Sequence, residues 1–319
     1  MSKIVTLGEM LVDFTPYEIE GVDRLYQQNA GGAPANVAVQ AAVLGAHTTF
    51  IGKVGSDDFG RFLANNLEKK GVSIEGLVTD HVNATSFAFV TLNELGERSF
   101  NFVRSPGADT QLKYEEIRLR LIDECDIFHF GSISLATEPS KTATMGAVEY
   151  AKEKRKIVTY DPNYRSSLWT SVDDAIKAMK SVLYFVDVIK VSENELNLIS
   201  GCEKLLQGIA TLLKTGIKVV IVTQGAKGCI VACHTGIERL ATYDVDTIDT
   251  TGSGDCFFGA FLYKLGESGI PLNELTLADL IGFCDFANAC GSLCATKKGA
   301  ITPWLDEIED CMKNKSKLK

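Results

Sequence analysis

The strongest constraint on the fold is an alternation of short β-branched runs with longer segments of helical periodicity. Buried strands that alternate with helices are typical of a mostly parallel sheet with helices on both faces, so we expect an α/β architecture. The predicted strands are Lys3–Leu7, His47–Gly52, Ile127–Phe130, Lys156–Tyr160, Val186–Val191 and Lys218–Thr223. The predicted helices are Pro34–Leu44, Asp57–Lys69, Lys141–Lys154, Val172–Lys180 and Glu203–Leu213.

Two segments, Leu11–Gln28 and Thr85–Val103, break this alternation, and each predicts a pair of strands. The second pair would turn at Asn93-Glu94-Leu95-Gly96. Its strands mix apolar with polar residues, which indicates a small sheet outside the main one. The pattern leaves three uses open: a flap that closes over a ligand, an extension of the main sheet, or a dimer contact.

Composition narrows the class of protein. A chain of 319 residues has room for one large domain or two small ones. Its formal net charge of −9 argues against broad attraction to nucleic acid or to an anionic membrane, although local groups can still hold one anionic ligand. We see no signal peptide, and the most apolar run, 279–296, is interrupted by Asp285 and Asn288, so we expect no membrane span.

The nine cysteines are odd in number and include no Cys-x-x-Cys pair, which favours a reducing compartment; we expect the cytoplasm. Cys290 and Cys294, one helical turn apart, are predicted to be buried small side chains rather than a metal pair. The basic segment Lys313–Lys319 is the part of the chain that we expect to be frayed.

Three glycine-containing turns are candidates for chemistry. In Ala30-Gly31-Gly32-Ala33-Pro34-Ala35-Asn36, two glycines allow close backbone approach to a ligand, and Pro34 suits the start of a helix. The plainer interpretation is a tight strand-to-helix loop. Thr223-Gln224-Gly225-Ala226-Lys227-Gly228 follows a predicted strand, where open α/β sheets bind ligands, but hairpins look similar.

The third turn, Asp249-Thr250-Thr251-Gly252-Ser253-Gly254-Asp255, precedes an apolar helix. Free N–H groups and the helix dipole at such a start favour an anion. Asp255 is either a helix cap or a base beside a bound phosphate, and the turn alone does not decide between them. The sequence contains no P-loop, no opening G-x-G-x-x-G and no G-x-S-x-G, which disfavours the nucleotide-binding and hydrolase classes that these motifs mark.

Together and in this order, the motifs at Gly31–Asn36 and Asp249–Asp255 resemble the two signatures of the ribokinase-like (PfkB) family of carbohydrate kinases. They lie about 220 residues apart, and the resemblance covers essentially the whole chain. Finer features resemble the fructokinase branch: Gly8–Phe14, Phe50–Gly55, Ile127–Leu135, Tyr160–Arg165 and Leu168-Trp169. Ser192 stands where the family often has Asn, as is common in that branch.

The resemblance implies one ribokinase-like domain over residues 1–319, with lid segments at about 9–28 and 85–103. It implies transfer of the γ-phosphoryl group of ATP to D-fructose, giving fructose 6-phosphate. Asp255 matches the base; an ordinary Asp pKa of about 3.9 would keep it ionised at pH 7. The amides of Gly252, Ser253 and Gly254, with that of Asp255, match the anion hole.

The resemblance also implies binding residues. Positions that match the sugar site are Asp13, Gly31, Gly32 and Asn36, with Arg104 and Arg165 near the substrate. Positions that match the nucleotide site are Lys190, Thr223, Gly225, Gly228, Asn288 and Gly299. Glu195 would act on Mg²⁺ through water. Asp249 and the Thr251 carbonyl match the K⁺ site of many members, which carbonyls near Cys294, Lys297 and Gly299 would complete.

The expected partners are therefore a small sugar and ATP, with no nucleic acid or membrane. An exposed lid sheet would also suit a homodimer that forms through the lid. Two alternatives stay open. One is another sugar kinase of this fold, acting on 2-keto-3-deoxygluconate or ribose; Arg165 would suit the keto acid. The other is a sugar- or nucleotide-binding regulator without catalytic activity.

Overall fold

The computed structural model describes residues 2–17, 25–92, 98–104 and 106–318. Its strands, in chain order, are β1 (Lys3–Leu7), β2 (Leu11–Tyr17), β3 (Leu25–Gly31), β4 (His47–Gly55), β5 (Ser73–Asp80), β6 (Phe87–Leu92), β7 (Arg98–Val103), β8 (Ile127–Gly131), β9 (Ile157–Asp161), β10 (Val188–Ser192), β11 (Val219–Thr223), β12 (Cys229–Cys233) and β13 (Gly236–Leu240).

The helices are α1 (Ala33–Val43), α2 (Asp58–Lys69), α3 (Leu119–Glu124), α4 (Ser140–Glu153), α5 (Val172–Ser181), α6 (Glu193–Ser200), α7 (Leu205–Lys214), α8 (Ser253–Ser268), α9 (Leu277–Cys294) and α10 (Leu305–Asn314). Single-turn 3₁₀ segments connect several of these elements.

The main sheet has nine strands in the order β13-β12-β11-β10-β9-β8-β1-β4-β5. Pairing is parallel from β11 to β5, and the hairpin β12–β13 adds an antiparallel edge. One apolar cluster packs α4 to α7 on one face of the sheet, and a second packs α1, α8, α9 and α10 on the other. The prediction of a mostly parallel α/β sheet flanked by helices is confirmed.

The chain runs outward from β1 in two directions, first through β4 and β5 and later through β8 to β13. Strand order therefore reverses between β1 and β8, and open α/β sheets bind ligands beyond the carboxyl ends of strands at such a point. Glu9 follows β1 and Asp161 ends β9, so carboxylates from two nearby strands lie at this crevice.

A second sheet has four strands in the order β3-β2-β6-β7. Aromatic rings fasten it to the body: Phe14 of β2 packs edge-on against Phe59 of α2 and Phe87 of β6, and stacks on Phe89. Asp57 adds a polar link, since its carboxylate accepts hydrogen bonds from the N–H and the hydroxyl of Thr85, just before β6. We call these four strands the lid sheet. The two predicted strand pairs thus form a separate small sheet, and the predicted turn Asn93–Gly96 lies outside the described residues.

All predicted strands and helices are present, with ends shifted by up to three residues; the largest shift is at β4, which runs three residues beyond its predicted end. The predictions omitted β5, the hairpin β12–β13 and the helices α3, α6, α9 and α10. The turn Thr223–Gly228 is indeed a hairpin connection, as one interpretation had it, because β11 and β12 pair antiparallel across it.

The prediction of a frayed segment at Lys313–Lys319 is wrong for the residues described there. Helix α10 runs to Asn314, and Tyr243 pairs with Lys317 in an antiparallel bridge. The cysteines are free thiols, and Cys290 and Cys294 are fully buried on α9. Among the described residues, α9 is the one helix long and apolar enough to cross a membrane; 56% of it is buried, and a core helix passes the same test.

Candidate active site

The turn between β3 and α1 requires both of its glycines. Gly32 has φ +114°, and a Cβ there would lie 2.4 Å from the carbonyl oxygen of Glu9. A Cβ on Gly31 would lie 2.2 Å from Oδ2 of Asp13, so this carboxylate rests directly against the turn. The predicted pair of glycines therefore lets the Asp13 carboxylate and the start of α1 approach each other closely.

Helix α8 begins without a side-chain cap. Gly252 precedes it at φ +75°, and a Cβ there would lie 2.4 Å from the Cβ of Ala300. The Oγ of Ser253 is buried and has no hydrogen-bond partner within the described structure. An uncapped helix start with an unpaired hydroxyl beside it is suited to an anionic ligand.

Asp255 lies in the first turn of α8 and does not cap the helix. Asn36 of α1 donates a hydrogen bond from Nδ2 to its Oδ2 at 2.8 Å, which joins the two predicted motifs. Burial raises the pKa of Asp255 to about 6; Lys190 and the Asn36 hydrogen bond oppose the rise, and Asp161 adds to it. The expectation of an ordinary pKa is therefore wrong, but a pKa of about 6 still leaves roughly nine-tenths of the group ionised at pH 7.

Lys190 lies beneath the start of α8. Its Nζ donates a hydrogen bond to Oδ2 of Asp161 at 2.6 Å and lies 3.0 Å from where a Cβ on Gly254 would be. Burial by itself would lower the pKa of this amine. The carboxylates of Asp161, Glu195 and Asp255 outweigh that effect and raise the pKa, so the ammonium stays charged.

A small cavity of about 60 Å³ lies between the lid sheet and the crevice of the main sheet. It contains five of the residues predicted to bind sugar or act as the base, together with residues that were not predicted. Its lining consists of Glu9, Leu11, Asp13, Gly32, Ala33, Asn36, Phe102, Ile133, Asn163, Arg165, Thr251, Gly252 and Asp255.

The two predicted arginines have different surroundings. Arg165 lines the small cavity and lowers the pKa of Asp255 through its charge. Arg104 does not line it: its Nε and a terminal nitrogen both lie 2.6 Å from Oδ2 of Asp109, and its side chain is 5% exposed. Arg104 is thus held beside the cavity by an ion pair, close enough to Glu9 to lower that carboxyl's pKa.

A larger cavity of about 340 Å³ lies on the other side of the first turn of α8. Four of the six residues predicted to bind the nucleotide line it; Lys190 and Gly299 do not. Its lining consists of Thr223, Gly225, Ala226, Gly228, Thr242, Tyr243, Val245, Thr247, Thr250, Ser253, Gly254, Phe257, Asn288, Gly291, Ser292, Ala295 and Leu318.

The carboxylates predicted to act on metal ions accept hydrogen bonds from backbone N–H groups. Both oxygens of Asp249 accept hydrogen bonds at 2.7 Å, one from the N–H of Thr251 and one from that of Gly299. The oxygens of Glu195 accept from the N–H groups of Tyr164 and Ser192, both at 2.7 Å. The described residues include no cluster of three or more His, Cys, Asp or Glu side chains arranged to hold a metal directly.

Two carboxylates of the site were not predicted. Asp161 pairs with Lys190 at the end of β9. Glu9 is 2% exposed; its Oε1 accepts from the N–H of Ala33 at 3.0 Å, and burial raises its pKa to about 7. Glu9 follows β1, which borders the point where strand order reverses, and Asp161 ends β9, one strand beyond β8, so the predicted parallel sheet itself could have identified them.

The first turn of α8 separates the two cavities. Gly252 and Asp255 face the small cavity, whereas Ser253 and Gly254 face the large one. A ligand group bound at the uncapped amides would therefore lie across one helical turn from a carboxylate of raised pKa. This arrangement suits transfer of an anionic group from a ligand in the large cavity to a hydroxyl in the small one.

Comparison with known proteins gives a consistent result. The model of the pfkB family of carbohydrate kinases matches residues 1–307. "Probable fructokinase-5" of Arabidopsis thaliana is 44% identical over 322 residues, which cover 98% of each chain. The fructokinase of Xylella fastidiosa solved with bound ATP superposes with a TM-score of 0.90 at 30% identity, covering 98% of both chains.

The fructokinase of Vibrio cholerae O395, solved with fructose, ADP and a calcium ion, superposes with a TM-score of 0.89 at 34% identity. The match covers 98% of this chain and 99% of that one. A double mutant of the same enzyme was solved with fructose, ADP and a potassium ion.

We predict that the Asp255 carboxyl titrates near pH 6 in the ligand-free protein. Replacing Asn36 with Ala removes a hydrogen bond donated to the charged form, so the pKa should rise further. The measurement is a pH titration of the ¹³C carboxyl resonance, assigned by its loss in Asp255→Asn. A midpoint near pH 4, or a lower midpoint in Asn36→Ala, would contradict the prediction.

Proposed function

Because the chain belongs to the pfkB family of carbohydrate kinases, we propose that it transfers the γ-phosphoryl group of ATP to D-fructose, giving fructose 6-phosphate and ADP. The observation that carries this proposal is the first turn of α8, which presents a carboxylate to the small cavity and uncapped amides to the large one. Fructose is proposed as the acceptor because the V. cholerae enzyme, similar along nearly its whole length, was solved with that sugar.

The sugar would occupy the small cavity. Asp13 and Asn36 supply hydrogen-bond acceptors and donors for its hydroxyls, and the Gly31-Gly32 turn leaves backbone close to the ligand. Arg165 adds a donor at the same cavity. In this proposal Arg104 acts indirectly, through its charge and its ion pair with Asp109, since it does not line the cavity.

Asp255 would act as the base. As the bond forms between the sugar oxygen and the γ-phosphorus, the bond from that phosphorus to the ADP oxygen breaks, and the hydroxyl proton passes to the Asp255 carboxylate. A base of pKa about 6 is mostly ionised at pH 7 yet has a stronger pull on the proton than an ordinary Asp. We therefore expect kcat/KM to fall as the pH drops below about 6.

The amides of residues 252–255 would hold the transferring phosphoryl group. No side chain caps them, although the N–H of Ser253 donates to the carbonyl of Thr250 at 3.2 Å. The unpaired Ser253 hydroxyl is beside them, and the Lys190 ammonium lies beneath Gly254. Charge that develops on the phosphoryl oxygens would thus meet donors already in position, which is where most of the catalysis of phosphoryl transfer lies.

ATP is expected to arrive with Mg²⁺, which neutralises phosphate charge and usually keeps several waters. Glu195 is suited to a contact through water, because hydrogen bonds from the Tyr164 and Ser192 backbone fix its carboxylate near Lys190. Asp249 fits a K⁺ site in a different way: it ties the Thr251 loop to the turn at Gly299, whose carbonyls would supply ligands.

A substrate panel tests the choice of sugar. We predict that kcat/KM is highest for D-fructose among fructose, 2-keto-3-deoxygluconate and ribose, measured with ATP and Mg²⁺. Repeating the fructose assay in potassium and in tetramethylammonium chloride tests activation by K⁺. Negligible phosphorylation of fructose beside efficient phosphorylation of another sugar would overturn the assignment, and a preference for the keto acid would point to Arg165 as a carboxylate ligand.

Replacing Asp255 distinguishes a kinase from a binding protein without catalytic activity. We predict that Asp255→Asn binds fructose about as well as the parent protein but loses at least about 10²-fold in kcat. Asp310→Asn, an exposed change on α10, is the matched control and should retain full activity. Near-normal turnover in Asp255→Asn would refute the role of Asp255, and a parent protein that binds both ligands without turnover would favour the regulator.

The lid sheet is proposed to close over the sugar, because Asp13 of β2 and Phe102 of β7 already line the small cavity. We predict that fructose slows hydrogen exchange of the amides in β2 and β6 by at least about tenfold, since closure would remove them from solvent. Strand β11, which pairs within the main sheet, serves as the internal reference. Unchanged exchange in both lid strands would show that they do not close.

A further inference from the structure

Residues 316–318, which we call the strap, pair with residues 242–244 beside the large cavity. The N–H of Asp244 donates to the carbonyl of Ser316 at 2.9 Å, and the N–H of Leu318 donates to the carbonyl of Thr242 at 2.9 Å. Tyr243 and Lys317 form the antiparallel bridge between these bonds. The strap is therefore held in register along three consecutive residues.

Side chains anchor the strap to α9. The Nζ of Lys317 lies 2.7 Å from Oδ1 of Asp285, and the Tyr243 hydroxyl donates to the same oxygen at 3.1 Å. The Lys317 ammonium also lies 5.3 Å from the centre of the Tyr243 ring. Burial and the neighbouring Asp285 raise the pKa of Tyr243, so its hydroxyl stays a donor to this carboxylate.

The anchored strap forms part of the wall of the large cavity. Leu318 lines that cavity together with Thr242 and Tyr243, the residues with which the strap pairs. The Thr242 hydroxyl lies 2.7 Å from that of Ser292, and Asn288, one turn earlier on α9, donates to the carbonyl of Ala241 at 3.5 Å. The strap thus adjoins the side of the cavity that carries Asn288, away from any sugar-site residue.

We propose that the strap is part of the nucleotide site, with Leu318 packing against the purine base and the bound nucleotide in turn holding the strap in place. This inference rests on the proposed kinase function, since it assigns the large cavity to ATP. Leu318 is half-buried and apolar, Tyr243 beside it is aromatic, and the Lys317 charge is neutralised by Asp285. Such a wall suits the flat apolar face of a base rather than the phosphates.

The strap can contribute to nucleotide affinity because only a few nearby contacts hold it in place. It continues neither a helix nor the main sheet, and its described backbone contacts are the bonds to residues 242–244. A segment held by a few local contacts opens at a lower free-energy cost than the core does, so a ligand that packs against the closed form shifts the equilibrium toward it. The same coupling would make the strap a place where nucleotide affinity changes without any change in the sugar site.

The test compares ADP and fructose binding, by calorimetry with Mg²⁺ present, in the parent protein, Leu318→Ala and a variant that stops after Asn314. We expect the Kd for ADP to rise roughly fivefold in Leu318→Ala and tenfold or more in the shortened chain, because apolar contact with the base is lost. The Kd for fructose should not change. Lys313→Ala, an exposed change on α10, is the matched control.

Hydrogen exchange supplies a second readout that does not depend on a variant folding. ADP should slow exchange of the Asp244 and Leu318 amides in the parent protein, whereas fructose should not. A Kd for ADP within twofold of the parent value in Leu318→Ala, with no change in exchange, would overturn the strap proposal while the parent enzyme still phosphorylates its sugar. A parent protein that binds no ADP would overturn both the kinase proposal and this one.

Discussion

The start of α8 is the constraint on which the rest of the site depends. A helix that begins without a side-chain cap leaves amides unpaired, and these can be stabilised only by a ligand, by water or by nearby groups. Gly252 makes that start possible, because its left-handed conformation and the contact with Ala300 leave no space for a side chain. The sheet, the lid sheet and the strap all position groups around this one helical turn.

The buried charges beneath that turn are balanced against one another. Lys190 lies among the carboxylates of Asp161, Glu195 and Asp255, so its charge is shared by three anions, and Arg165 adds a weaker effect on Asp255. This sharing explains why the pKa of Asp255 rises while the ammonium stays charged: burial penalises the carboxylate more than the shared cation can offset. A site with a dedicated cation for Asp255 would give a weaker base.

The sequence allowed the parallel sheet, the two motifs and seven of the 13 residues that line the small cavity to be predicted, because most of their signals are local. A glycine turn that follows a strand and precedes a helix is recognisable within ten residues. Even α6 carried a local signal, since Ser192 and Glu195 form a capping box. The pairing of Arg104 with Asp109, the raised pKa of Asp255 and the order of the strap were not predictable in this way, since each depends on groups that only the folded chain brings together.

The acidic composition is compatible with the proposed polyanionic ligand, because the ligand would meet local groups rather than the average charge of the chain. A formal net charge of −9 describes the whole chain, whereas the phosphates would meet backbone amides and the buried Lys190. Backbone dipoles at a helix start add attraction without adding charged side chains. The wall formed by the strap follows the same principle, because Asp285 neutralises Lys317, the lysine of the strap in contact with α9. The purine base would therefore be held by shape and apolar contact. The negative charge of the ligand would be stabilised only at the start of α8.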